Sequence, residues 1–267
     1  MSEIDPVVPL LGLLALCIVM AAAWLKQRAT KNAGIVDVLW SGSIGALAIV
    51  YLVTAEGWLP RRLLVCGIAI VWSARLTWYL AGRVSSEPED GRYKELRDEF
   101  GPKFDSWIFW FFQAQALLAV LLSLAVLVPA SATQPEAWRA LDLVGLVVFA
   151  ISIVGEAISD RQLHAWRRNP DNRGVTCRAG LWRYSRHPNY FFEWLHWFAY
   201  PLMAVGLPWG WTLWLAPVAM YVFVVRVTGI PPTERQSIRS RGDDYRAYQR
   251  TTNAFFPGPP RSDAAIS

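Results

Sequence analysis

Seven stretches of about twenty apolar residues recur along this chain, at about 6–25, 34–53, 62–81, 107–128, 142–163, 189–206 and 209–228. A helix of that length spans the hydrocarbon core of a bilayer, about 30 Å thick. No water is present there to satisfy backbone N–H and C=O groups, so each run is expected to be helical. The reading is an all-α polytopic membrane protein with seven transmembrane helices and one domain over residues 1–267. Composition agrees: 18% of the residues are charged, against about 25% in soluble domains. The first run has only Glu3 and Asp5 ahead of it and ends in "WLKQR" without a small-residue cleavage site. It reads as a retained helix rather than a signal peptide. Cys17, Cys66 and Cys177 have neither disulfide nor metal-ligand spacing, so no metal site is expected.

Lys and Arg alternate between the connections. None precedes the first run; residues 26–33 carry three, 54–61 one, 82–106 five, 129–141 one, 164–188 six, 207–208 none, and the tail from 226 onward seven. By the positive-inside rule this places the N-terminus outside and the C-terminus in the cytoplasm. The net charge of +5 then reflects membrane orientation and anionic headgroups and requires no nucleic acid. Trp58, Trp107, Trp110, Trp209, Trp211 and Trp214 read as an interfacial belt. "RYKELRDEF" between Gly/Pro breaks reads as a short interfacial helix. The last forty residues suggest a short amphipathic helix closed by "FFPGPP".

Polar residues inside apolar runs are functional candidates. Glu156, Asp160, Leu163 or His164, and Arg167 share one helical face; Asn189, Glu193, His196 and Tyr200 share another; Trp72, Arg75, Tyr79 and Arg83 form a third stripe. Asp37 is the sole acid of the second run. Such charges can simply hold helices together. Three stripes converging beside "WRRNPDNR" and "RYSRHPNYFFEW" point to a pocket for a large anionic ligand entered from the cytoplasm. Arg161, Arg167, Arg168, Arg173, Arg178, Arg183 and Arg186 offer forks for phosphates. Asn189 and Glu193 could meet a nicotinamide or ribose, and Tyr184, Tyr190, Tyr245 and Tyr248 an adenine and its sugar. No GxGxxG or GxxxxGKS motif occurs, so a Rossmann or Walker site is excluded.

"GLWRYSRHPNYFFEW", preceded by "EAISDRQLHAWRR" and followed by "TGIPPTE" and "SRGDDYRAYQRTTNAFFP", resembles bacterial membrane proteins of unknown function related to the C-terminal domain of steroid 5α-reductases. "DVLW", "WSARLTWYLAGR", "EDGRY" and the Gln of "FWFFQAQ" extend the resemblance over most of residues 32–257. It implies a seven-helix, NADPH-dependent reductase of the inner membrane that saturates a carbon–carbon double bond conjugated to a carbonyl. The cofactor part would cover about 150–257 and face the cytoplasm. The resemblance makes Asp160, Arg167, Arg168, Tyr184, Arg186, His187, Asn189, Glu193, Tyr245 and Tyr248 cofactor contacts, with Asn189 at the nicotinamide amide. The substrate would be a lipophilic molecule entering from the bilayer, the neighbours membrane lipids, and the chain a monomer. Departures stand beside this. Glu156 replaces an Asn, Trp72 stands where the family's proton-donating Tyr is expected, and the second run lacks a Gln-Glu pair. Asp37, Tyr79, Tyr200 or Glu193 would then supply the acid, Asp37 first.

Arg186-His187-Pro188, Tyr190, Glu234, Tyr245 and Tyr248 also resemble isoprenylcysteine carboxyl methyltransferases, which bind S-adenosylmethionine. The arginine excess favours a phosphate-bearing cofactor over a sulfonium.

Overall fold

The computed structural model describes residues 5–262, and every regular element among them is helical. They are α1 (Val7–Thr30), α2 (Ile35–Thr54), α3 (Leu59–Ser86), α4 (Gly91–Phe100), α5 (Phe104–Ala130), α6 (Ala140–Arg168), α7 (Pro188–His196), α8 (Ala199–Ala204), α9 (Leu215–Val222), α10 (Ile230–Arg241) and α11 (Asp243–Thr251). Six helical stretches are long and apolar enough to cross a membrane: Val7–Thr30, Ile35–Thr54, Leu59–Ser86, Gly91–Ala130, Ala140–Arg168 and Gly210–Arg241. The apolar run at 189–206 is divided instead into α7, a turn at Trp197 and Phe198, and α8. Pro201 explains the division, because it has no N–H to give the carbonyl of Trp197 and so starts a new helix instead of extending α7.

Two compact units are formed, Met1–Leu143 with Tyr200–Leu213, and Val144–Ala199 with Trp214–Ser267. In the first, α2 and α3 pack through small residues. Ser73 Oγ donates to the Ser41 carbonyl at 2.6 Å and accepts from the Gly45 N–H at 3.1 Å, and the Ser41 and Thr77 hydroxyls lie 2.9 Å apart. A side chain at Gly45 would collide with Ser73. Where apolar tails compete equally for every apolar face, such close backbone approach and hydroxyl bonding are what join helices. The Tyr51 and Ser123 hydroxyls, buried and 2.8 Å apart, join α2 to α5. Arg61 and Asp142, both wholly buried, lie 3.6 Å apart, and Arg61 also donates to the carbonyls of Pro135 and Ala137. A short helix forms at "RYKELRDEF" as expected, α4: Asp90 accepts the Arg92 N–H at its start, and Gly101, at φ +48°, ends it.

In the second unit, α6 approaches α7 at Gly155, where any side chain would meet the Phe192 ring. The connection after α6 is strapped back onto it. Trp182 Nε1 donates to the Ser159 carbonyl at 3.0 Å, and the Leu181 N–H donates to Gln162 Oε1 at 2.9 Å. Pro188 opens α7 in its first turn, where a missing N–H leaves nothing unsatisfied. Trp194 Nε1 donates to the Pro217 carbonyl of α9 at 2.9 Å. A π-helical turn at Phe223–Val227 continues α9. The tail forms two helices where one was expected, because Gly242, at φ +55°, adopts the left-handed region that breaks α10 from α11. The Arg186 N–H donates to the Asn253 carbonyl at 2.9 Å and the Gly258 N–H to the Tyr184 carbonyl at 3.0 Å. The chain that departs at α7 therefore returns to its point of departure.

Candidate functional site

Glu234, on the first turns of α10, is the hub of the second unit. One carboxylate oxygen accepts from Arg186 Nε at 2.6 Å and the Tyr245 hydroxyl at 3.4 Å, and lies 3.3 Å from His187 Nε2. The other accepts from Gln249 Nε2 at 2.8 Å. Arg186 also donates to the carbonyls of Gln249 and Thr252, at 3.1 and 2.6 Å. The guanidinium expected to offer its fork to a phosphate is thus engaged by one carboxylate and two carbonyls of its own chain. His187 stacks on Tyr190 at 5.4 Å, and the Tyr190 hydroxyl lies 3.2 Å from that of Thr233. Burial pushes the His187 imidazole below its ordinary value, outweighing the neighbouring Glu234 carboxylate. Tyr245 and Tyr248 are buried, and burial raises both phenols. The Tyr248 hydroxyl donates to the Trp182 carbonyl and lies 3.2 Å from that of Ser185. Four of the expected cofactor contacts, Arg186, His187, Tyr245 and Tyr248, therefore meet around Glu234 and the strap at 182–186, as a network that joins α7, α10, α11 and the tail.

The remaining candidates of this unit present a different character. Glu156 is buried and Asp160 half-buried on α6, one turn apart. Arg167 and Arg168, at the end of α6, are exposed, as are Arg161, Arg173 and Arg183. None of these five guanidiniums is hydrogen-bonded or ion-paired to the described residues. Arg167 lies close enough to Arg241 and Cys177 for its charge to act on both, and the two guanidiniums oppose each other. Two donors nearby are buried without a partner among the described residues, Arg241 Nε and Thr176 Oγ1. The adjacent acid, Asp244, is already bound by the Thr176 N–H at 2.7 Å and by Arg178 at 2.8 Å. Burial alone would raise the Asp244 carboxyl, but those donors hold it below the usual carboxylate range. Asn189 is half-buried in the first turn of α7, and its side-chain amide has no partner among the described residues. Glu193 is buried one turn further on, its carboxylate 4.0 Å from His196 Nδ1. Tyr184 is exposed, its ring standing with Gln162 at the α6 strap.

Asp37 and Tyr79 belong to the first unit. Asp37 accepts from Arg92 at 3.0 Å and from the Tyr93 hydroxyl at 2.8 Å, while Arg92 also binds Asp90 at 3.1 Å. Both carboxylate oxygens therefore act as acceptors, fastening α2 to α4. Tyr79 is partly exposed on α3, near Arg83. Trp72 is wholly buried, edge-on to Trp40 at 6.3 Å.

Sequence reasoning gave Glu234 only the methyltransferase reading and overlooked Thr176, Arg241 and Gln249. Glu234 carried a signal, an acid directly after "IPPT" where the chain leaves its last apolar run. Thr176 and Arg241 carried none, because their significance lies in buried donors left without acceptors.

A family model described as "Protein of unknown function (DUF1295)" matches residues 23–252. An uncharacterized protein of Schizosaccharomyces pombe is 29% identical over 278 aligned residues, covering 92% of this chain and 78% of the yeast protein. No solved structure matches. The match spans both units and every candidate residue above, and the chain belongs to this family of unknown function.

Proposed function

We propose that the protein is an NADPH-dependent membrane reductase, similar to steroid 5α-reductases, acting on a lipophilic enone. The observation that carries this reading is the cation excess around Arg167. Two opposed guanidiniums, an orphan Arg241 Nε and an orphan Thr176 Oγ1 lie beside an acid that is already engaged. Like charges held together near buried unsatisfied donors are destabilising unless an anion joins them. A ligand with several phosphates fits that donor set. Arg167 and Arg168 would hold phosphates, Asp160 a ribose hydroxyl, Asn189 the nicotinamide carboxamide, and Glu193 the same ring or its ribose from one turn deeper. Arg186, His187, Tyr245 and Tyr248 would form the frame behind them. NADPH, when bound, supplies the hydride for the β-carbon of the enone. Asn189 and Glu193 orient the ring that carries it, and Asp37, Tyr79 or Glu193 supplies the acid at the carbonyl oxygen, where one positioned donor is worth about 3–4 kcal/mol.

The topology that goes with this function has seven passes, the N-terminus outside and the C-terminus in the cytoplasm of a bacterial inner membrane. Its support is the return of the chain to Tyr184 and Arg186 after α7 and α9. Two passes between those points keep both strongly basic segments, 164–188 and the tail, on one face.

One observation favours a second reading, an S-adenosylmethionine-dependent methyltransferase: Arg186, His187, Tyr190, Glu234 and Tyr245 do meet in a single cluster. That cluster is internally satisfied, whereas the Arg167 surroundings are not. The test is NADPH oxidation on addition of a steroid or isoprenoid enone to detergent-solubilised protein, for the wild type and for Asp37→Asn, Tyr79→Phe and Glu193→Gln. The reading expects turnover that at least one of these variants abolishes. Enone-independent oxidation, or none at all alongside methyl transfer from S-adenosylmethionine, overturns it.

A further inference from the structure

An open groove of about 530 Å³ runs along α6 beneath the strap. Ile151, Gly155, Ile158 and Gln162 line it at helical offsets of four, three and four, and thus form one continuous face. Residues 156, 160 and 167 project from the opposite side of the same helix, because a two-residue offset rotates the side chain by about 200°. The groove is therefore distinct from the acid-and-arginine stripe. Ile151 and Ile158 are 53% and 39% exposed, on a helix long and apolar enough to cross a membrane.

The two ends of the groove differ. From Ile151 to Gln162 the lining is apolar over about 16 Å of helix, close to the depth of one leaflet, half of about 30 Å. Beyond it stand Gln162, Arg183 and Tyr184. Gln162 gives its Oε1 to the Leu181 N–H, so its remaining polar atom is the Nε2 donor. The amide reaches this position because Gly180, at φ +58°, has no side chain to obstruct it. Arg183 and the Tyr184 hydroxyl are exposed and have no partner among the described residues. An apolar channel one leaflet long, closed by an amide donor, a hydroxyl and an uncompensated guanidinium, is complementary to an acyl chain carrying an anionic headgroup.

We infer that this groove holds one anionic glycerophospholipid, its acyl chain along Ile151, Gly155 and Ile158 and its phosphate against Arg183, Gln162 and Tyr184. The guanidinium fork supplies the charge-assisted contacts that select a net-negative headgroup over a zwitterionic one. The groove takes in Arg183 and Tyr184, which the sequence offered to the cofactor, but it lies on the side of α6 away from Asp160 and Arg167, and it stands whether or not NADPH binds.

Native mass spectrometry of the purified full chain, incubated with equal amounts of a phosphatidylglycerol and a phosphatidylcholine of identical acyl chains, tests the assignment. The wild type should carry one adduct enriched in phosphatidylglycerol. Arg183→Gln should lower that enrichment about tenfold, the scale of one lost charge-assisted contact, and Arg183→Lys should restore part of it. Ile158→Trp, a substitution at an exposed position, should fill the groove and remove the adduct while the protein stays monodisperse. Equal binding of the two lipids by the wild type, unchanged preference in Arg183→Gln, or an adduct that survives Ile158→Trp would overturn the assignment. A lipid-free dimer dissociated by Ile158→Trp would overturn it too, giving the face to a second copy of the chain.

Discussion

Replacing Glu234 by Ala removes the acceptor shared by Arg186, His187, Tyr245 and Gln249. Breaking a buried ion pair from one side costs about 3–5 kcal/mol, because the surviving charge loses its partner without regaining water. The Arg186 and Glu234 side chains are 10% and 15% exposed, and Arg186 keeps the carbonyls of Gln249 and Thr252. The low end therefore applies, about 3 kcal/mol. At about 2–4 °C per kcal/mol for a chain of this size, Tm falls by about 6–12 °C. The buried Cys66 and Cys177 thiols provide the assay, since a thiol-reactive dye reports unfolding as it exposes them in detergent. Glu234→Gln, which keeps an acceptor, should fall between wild type and Ala. The Arg186→Gln, Glu234→Gln double variant should lose less than the sum of the two singles. A Tm drop of under about 2 °C for Glu234→Ala, or strict additivity in the double variant, would refute the view that this hub holds α7, α10 and the tail together.

His187 gives a pH dependence. Its folded pKa lies below the ordinary 6.5 because it is buried, so the unfolded chain takes up its proton first, and stability is complete above about 6.5 and declines as pH falls further. Tm measured downward from neutral pH should show that decline, and His187→Gln should flatten it. Arg167→Ala should weaken NADPH binding by about 1.5–3 kcal/mol, the worth of a hydrogen bond to a charged group, without lowering the Tm of the ligand-free protein, because the side chain is exposed, has no hydrogen-bond or ion-pair partner among the described residues, and repels Arg241. Gly45→Val should destabilise the fold by an overpacking cost of about 1–3 kcal/mol, seen as a lower Tm, since its side chain would meet Ser73, and Ser73→Gly in the same chain should recover part of it.

The spans of α1, α2, α3, α5 and α6 were legible because a bilayer allows only one local solution to an apolar run of that length. The short helix α4 was legible from its Gly and Pro boundaries. What periodicity could not show was which polar residues find each other. Arg186 and Arg167 look alike in the sequence, both basic residues at the edge of an apolar run. One is engaged by Glu234 and two carbonyls, and the other stands exposed with no hydrogen-bond or ion-pair partner among the described residues. The difference is set by Glu234, Gln249 and Thr252, some fifty to sixty-five residues away along the chain, and no local pattern encodes it. Asp37 is a similar case. As the sole acid of its run it read as a proton donor, and no local pattern showed that Arg92 and Tyr93 of α4 donate to its two carboxylate oxygens. The division of the 189–206 run had a local signal in Pro201, outweighed by the hydropathy of the stretch.

Calorimetric titration of NADPH, NADH and S-adenosylmethionine into the purified protein tests the central claim most directly. The arginine excess around Arg167 should make NADPH bind more tightly than NADH, because the additional 2′-phosphate gains a further charge-assisted contact, and S-adenosylmethionine should give no heat. Tight binding of S-adenosylmethionine with no response to NADPH would contradict the account and assign the Glu234 cluster to methyl transfer.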